Sequence, residues 1–165
     1  HEMKRRVTST DITVKCRLGV TGKDSFDDLV EFVTNVRSAG VQKIILHARN
    51  CVLKGLTPAQ NRTVPPLHPE LVHRIAEMFP DLIFIINGGI TTFHQAKQHL
   101  GQTDDSPYPN SLYGVMIGRE AYNNPFLFAS ADSQFFDVQS ICTGKTKEDI
   151  LHTYLDYAHQ MKVNE

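Results

Sequence analysis

Four small groups of residues in this 165-residue chain could do chemistry together: Lys15 with Arg17, His47 with Arg49, Asn87 with Gly88 and Gly89, and Gly118 with Arg119. Glycines let a backbone approach an anion closely, and a guanidinium such as that of Arg119 offers phosphate a bidentate fork. Lys15 supplies a fixed positive charge, which in a redox site stabilises the negative charge that collects on a reduced cofactor. Gly88-Gly89 and Gly118 each precede a segment of helical spacing, where the first turn offers free N–H donors. Singly, Lys15 reads as a surface or salt-bridged residue, His47 as a hydrogen-bonded core residue and Asn87-Gly88-Gly89 as an ordinary strand-ending turn. Their order along the chain is what points to a single site, one suited to a flavin phosphate.

Each group closes a short apolar run. Residues 12–16 (ITVKC), 43–46, 82–86 (LIFII) and 113–117 read as strands, the third apolar enough to expect cover on both faces. Between them lie segments of helical period. In the first, Leu29, Phe32, Val33 and Val36 follow a cap at Asp24 or Ser25 and stop at Ala39-Gly40; the others cover 70–79 and 92–100. Alternation of this kind predicts an α/β fold with a parallel sheet and right-handed crossovers. All four polar groups fall at the C-terminal ends of strands, the end that carries the active site in (β/α)8 barrels. A closed barrel takes about 250 residues, so the expectation is a partial (β/α)8 TIM barrel of about four βα units over 1–130, followed by the start of a helical region over 131–165.

The linking segments divide by character. About twenty residues after the second strand (NCVLKGLTPAQNRTVPPLHP) have no clear period, and loops of that length inside compact domains are usually functional. The stretch GQTDDSPYPNS before the fourth strand reads as an exposed, mobile insertion without chemistry. The chain then runs through 121–128 with Pro125 as an early helix residue, and a loop follows. A further helix covers 147–161, where Thr146 and Asp149 resemble a capping box and Ile150, Leu151, Tyr154, Leu155, Ala158 and Met161 share a face without an evident partner.

Composition bounds the partners. With 17 basic against 18 acidic residues, 41% hydrophobic and 21% charged, the chain is an ordinary globular one with no broad cationic field. The Lys4-Arg5-Arg6 run reads first as a solvated helix end. Three dispersed cysteines (Cys16, Cys51, Cys142) form no CxxC pair and follow no secretory segment, which predicts a reducing compartment; cytoplasmic and organellar locations both stay open, secretion is not expected, and no metal site is expected. No apolar run approaches the roughly 20 residues of a membrane span.

Four stretches, VKCRLGV, HARNCVLKGLTPAQNRTVPPL, INGGI and VMIGREAYNNPFLF, resemble tRNA-dihydrouridine synthases of the A type, and the match runs from 12 to 128. The stretch from HAR to VPPL is the most specific, being long, irregular and hard to produce by packing needs alone. The resemblance implies FMN at the top of the barrel, touching Lys15, His47, Asn87, Gly88, Gly89, Gly118 and Arg119. It implies tRNA contacts from Arg49, Arg62 and Lys54, although Ala59 stands where the family often has a basic residue. It implies that NADPH reduces FMN, and that a D-loop uridine, extruded from its stack, then takes hydride at C6. The family's cysteine acid lies on a loop preceding the segment that begins here. Cys16, Cys51 and Cys142 are therefore assigned no catalysis, and the chain alone is expected to be inactive. Two other readings stay open: an FMN barrel acting on a free pyrimidine, against which the HAR-to-VPPL loop argues, and a non-catalytic RNA-binding or flavin-storing remnant.

Overall fold

A computed structural model describes residues 2–7, 9–109, 112–136 and 145–163, so Cys142 lies outside the described residues. Contacts divide the chain into two compact units, His1–Asn124 and Pro125–Glu165.

The first unit opens with a short helix, α1 (Glu2–Arg6). It continues as β1 (Thr13–Arg17), α2 (Phe26–Ser38), β2 (Lys43–His47), α3 (Pro69–Met78), β3 (Ile83–Asn87), α4 (Phe93–His99), β4 (Gly114–Met116) and α5 (Arg119–Asn123). The helix starts have local causes. Ser25 caps α2 through a reciprocal capping box with Asp28, Pro69 occupies the first turn of α3, and Thr92 caps α4 with Gln95. Gly40, at φ 88°, turns the chain after α2 into β2.

All strand pairs are parallel and the order is β1-β2-β3-β4. A strictly sequential order describes the wall of a (β/α) barrel, because a doubly wound sheet reverses its strand order at a switch point. Side chains alternate across the strands. Ile44, Leu46, Phe84 and Ile86 are buried on one face, in a layer with Leu29 and Val33 of α2, Val72, Ile75 and Ala76 of α3 and Ala96 of α4. The opposite face, carrying Ile45 and Ile85, is only half-buried. The expectation that the third strand is covered on both faces is therefore corrected: in a barrel wall the second face turns to the interior, and among the described residues only the helix side is packed.

The insertion before β4 is less free than its composition suggests. Tyr108 stacks on His73 of α3 at 4.1 Å between ring centroids and 2° between planes, with His99 of α4 5.0 Å away. Ser106 Oγ donates to the Gln98 carbonyl, which ties the segment to the end of α4.

The second unit holds a 3-10 stretch (Pro125–Ser130), α6 (Ala131–Phe135) and α7 (Lys147–Val163). Pro125, expected as an early helix residue, is the first residue of the 3-10 stretch; proline disfavours helical geometry in the residue before it, and Asn124 sits at φ −141°, ψ 69°. Thr146 and Asp149 form the expected capping box at the start of α7. The α7 side chains at Ile150, Leu151, Tyr154, Leu155 and Met161 are exposed. No helix among the described residues is long and apolar enough to cross a membrane.

Candidate active site

The register of the sheet builds the site. Arg17, His47, Asn87 and Met116 are successive partners across the four strands, so their side chains leave the same, non-helix face at the C-terminal edge. Lys15 lies two residues earlier in β1 and shares that face. Its Nζ donates to Asn87 Oδ1 at 3.0 Å, while Asn87 Nδ2 donates to the Met116 carbonyl at 2.7 Å. The Asn87 amide is thereby oriented by β4 and in turn orients Lys15, spanning the sheet in two bonds. Burial pushes the His47 imidazole down to about 4, and the nearby Arg17, Lys15, Arg49 and Arg119 add like-charge repulsion. At neutral pH His47 is an uncharged ring among cations.

The structure brings all seven residues expected at the cofactor, Lys15, His47, Asn87, Gly88, Gly89, Gly118 and Arg119, onto one cavity of about 460 Å³. A second cavity of about 650 Å³ shares Lys15, His47 and Arg62 with it and is walled by Leu53, Leu56 and Pro58 of the long loop. Their sizes fall in the range of small-molecule and cofactor pockets.

The three glycines differ in what they do. Gly88 has φ 114° and a Cβ there would lie 2.6 Å from His47 Cδ2; Gly89 has φ 73° and its Cβ would lie 2.5 Å from Leu67 Cδ1. Both are glycine because the backbone turns through positive φ and packs tightly against its own neighbours. At Gly118 the nearest atom to a Cβ is Asn87 Nδ2 at 3.9 Å, so only there does the missing side chain leave open room on the cavity. The expected helix donors are also redistributed. The start of α4 is closed by its own Thr92 and Gln95 side chains, whereas Gly118 before α5 has no side-chain cap. Backbone N–H groups without a side-chain cap and a guanidinium therefore lie together at Gly118-Arg119.

Of the residues expected to meet RNA, Lys54 and Arg62 are exposed, and Arg62 borders both cavities. Arg49 is placed differently, at 9% exposure, with Nη1 donating to the carbonyls of Thr63 and Pro65. It sits inside the loop and holds it. Sequence reasoning gave no part to Asn61, which the structure buries at the base of that loop, nor to Leu67, which fills the space beside Gly88 and Gly89. The only signal for either was their membership of the irregular HAR-to-VPPL stretch. Cys16 is partly buried, and burial pushes its thiol up to about 11, which makes it unreactive at neutral pH.

The family model described as Dihydrouridine synthase (Dus) matches residues 1–164. A tRNA-dihydrouridine(20/20a) synthase of Pseudomonas aeruginosa is 47% identical over 125 residues, which are 76% of this chain and 35% of the relative. A protein of the same name from Synechocystis is 38% identical over 156 residues (94% and 43%), and one from Vibrio vulnificus 36% over 161 (97% and 46%). The chain thus spans less than half the length of these curated relatives. On the family match and these identities, the chain belongs to the dihydrouridine synthase family.

Proposed function

We propose that this chain carries the flavin-holding strand ends of an FMN-dependent tRNA-dihydrouridine synthase, with NADPH as reductant and a uridine of tRNA as substrate. The observation that carries the reading is the convergence of Lys15, His47, Asn87, Gly88, Gly89, Gly118 and Arg119 on one cavity at the C-terminal edge of parallel strands. The donor set fits the cofactor: a guanidinium beside an open glycine suits a phosphate, and a lysine held by an amide suits the electron-rich part of a ring system.

Arg119 and the Gly118 backbone hold the phosphate in this reading. Lys15, fixed by Asn87, sets a positive charge where reduction accumulates electrons, and His47 stays neutral to donate or accept a hydrogen bond without adding charge. When bound, FMN supplies hydride transfer from NADPH to C6 of the uridine. Arg62 and Lys54 present cations to the RNA backbone, while Arg49 shapes the loop that carries them. The helices after Asn124 begin the family's C-terminal helical region.

The experiment is incubation of the whole protein with FMN, NADPH and unmodified tRNA, followed by mass spectrometry of the digested nucleosides. A gain of two hydrogens on uridine is expected. Reduction of free uridine or uracil with tRNA untouched would overturn the substrate assignment.

A further inference from the structure

The loop after β2 is fixed at several points, by Arg49 at Thr63 and Pro65 and by a second set of bonds that meet at Asn61. Asn61 is 9% exposed. Its side-chain amide pairs with Val52 in both directions, accepting from Val52 N at 2.9 Å and donating to Val52 O at 2.8 Å. Its own carbonyl accepts from Arg17 Nη1 at 2.8 Å, and the same nitrogen donates to the Asn50 carbonyl at 2.9 Å. Arg17 belongs to the strand-end row with His47 and Asn87. One cation of the site therefore ties down both limbs of the loop, and Asn61 joins them to each other.

What this frame holds is the next residue. The Arg62 N–H donates to the Ala59 carbonyl at 3.1 Å and the Arg62 carbonyl accepts from Arg119 Nη2 at 3.4 Å, while the Arg62 side chain remains exposed between the two cavities. A backbone fixed on both sides with a free cationic side chain is preorganised for a polyanion, because the loop need not be ordered at the moment of binding. We infer that Asn61, with Arg17, is a positioning residue that presets Arg62 for RNA at the mouth of the site. The inference rests on the functional reading above and adds to it the residues through which the loop acts. The polar atoms of Asn61 are engaged by Val52, Arg17 and the Thr57 carbonyl, so its effect on RNA runs through Arg62.

The test uses the whole protein as wild type, Asn61→Ala, Asn61→Ser, Arg62→Ala and the Asn61→Ala/Arg62→Ala double variant, with titrations of FMN and of an unmodified tRNA transcript. Asn61→Ala should weaken tRNA binding about tenfold, roughly 1.4 kcal/mol, and leave FMN affinity within about twofold, since Asn61 is not among the residues on the smaller cavity. The double variant should bind tRNA no more weakly than Arg62→Ala alone, because a residue acting through another shows that coupling in the cycle. Unchanged tRNA affinity in Asn61→Ala, additive losses in the cycle, or loss of flavin from both Asn61 variants would each overturn the inference alone. A wild type that binds FMN and no tRNA refutes the functional reading, and the inference falls with it.

Discussion

Replacing Gly118 by alanine separates cofactor binding from folding, and the structure sets the size of both effects. The new methyl would have Asn87 Nδ2 as its nearest neighbour at 3.9 Å, an ordinary contact, and φ at this position is −105°. The fold should therefore lose less than about 1 kcal/mol, the usual range for a change that creates no clash. The methyl projects into the open part of the 460 Å³ cavity beside Arg119. Displacing an anion from one backbone donor forfeits a charge-assisted hydrogen bond of about 1.5–3 kcal/mol, which is roughly a 10- to 150-fold loss of affinity. The assay is a fluorescence titration of FMN into cofactor-free protein, paired with a thermal melt. Gly88→Ala is the contrast, because its Cβ would lie 2.6 Å from His47 at a φ of 114°, so backbone strain and overpacking together cost about 2–4 kcal/mol and lower the melting temperature as well. A Gly118→Ala protein with wild-type FMN affinity would refute the assignment of the phosphate to this turn.

Asn87→Ala removes the acceptor of Lys15 and the donor to the Met116 carbonyl. It should cost about 2 kcal/mol in denaturant unfolding after allowance for the exposure of Lys15, and an unchanged unfolding midpoint would refute that role. His47 titrates at about 4 in the folded chain against 6.5 ordinarily, so the unfolded state binds more protons between those values. Stability should be complete above pH 6.5 and decline as pH falls towards 4, and a chemical-denaturation series should show a shallower decline for His47→Gln. Arg62→Ala and Lys54→Ala should each reduce the slope of log affinity for tRNA against log salt by about 0.7–0.9; an unchanged slope would remove that residue from the RNA contact.

The strands and most helices were legible because each is a local pattern. Residues 12–16, 43–46, 82–86 and 113–117 each appear as a strand within a residue or two, and Ser25, Thr92 and Thr146 cap helices through neighbours three positions on. The site was legible for the same reason: strands in parallel register bring their C-terminal ends together, so order along the chain becomes proximity in space. What could not be read depends on partners far apart in sequence. Nothing local tells that Arg49 turns into its own loop towards Thr63 and Pro65, that Arg17 reaches Asn50 and Asn61, or that Tyr108 stacks on His73. The three glycines stand alike in the sequence, yet Gly88 and Gly89 pack against His47 and Leu67, and of the three only Gly118 offers open space. Pro125 was a local signal of the same kind, an early helix residue in the sequence and the first residue of the 3-10 stretch in the structure.

If four strand ends of this chain build one flavin site, bound flavin reports on all of them at once. The whole protein, purified as wild type, Lys15→Ala and Arg119→Ala, is titrated with FMN while visible absorbance and fluorescence are recorded. The wild type should bind saturably and both variants clearly more weakly, with Arg119→Ala rescued in part by Arg119→Lys, which restores the charge without the bidentate fork. Flavin bound equally well by all of them would contradict that site.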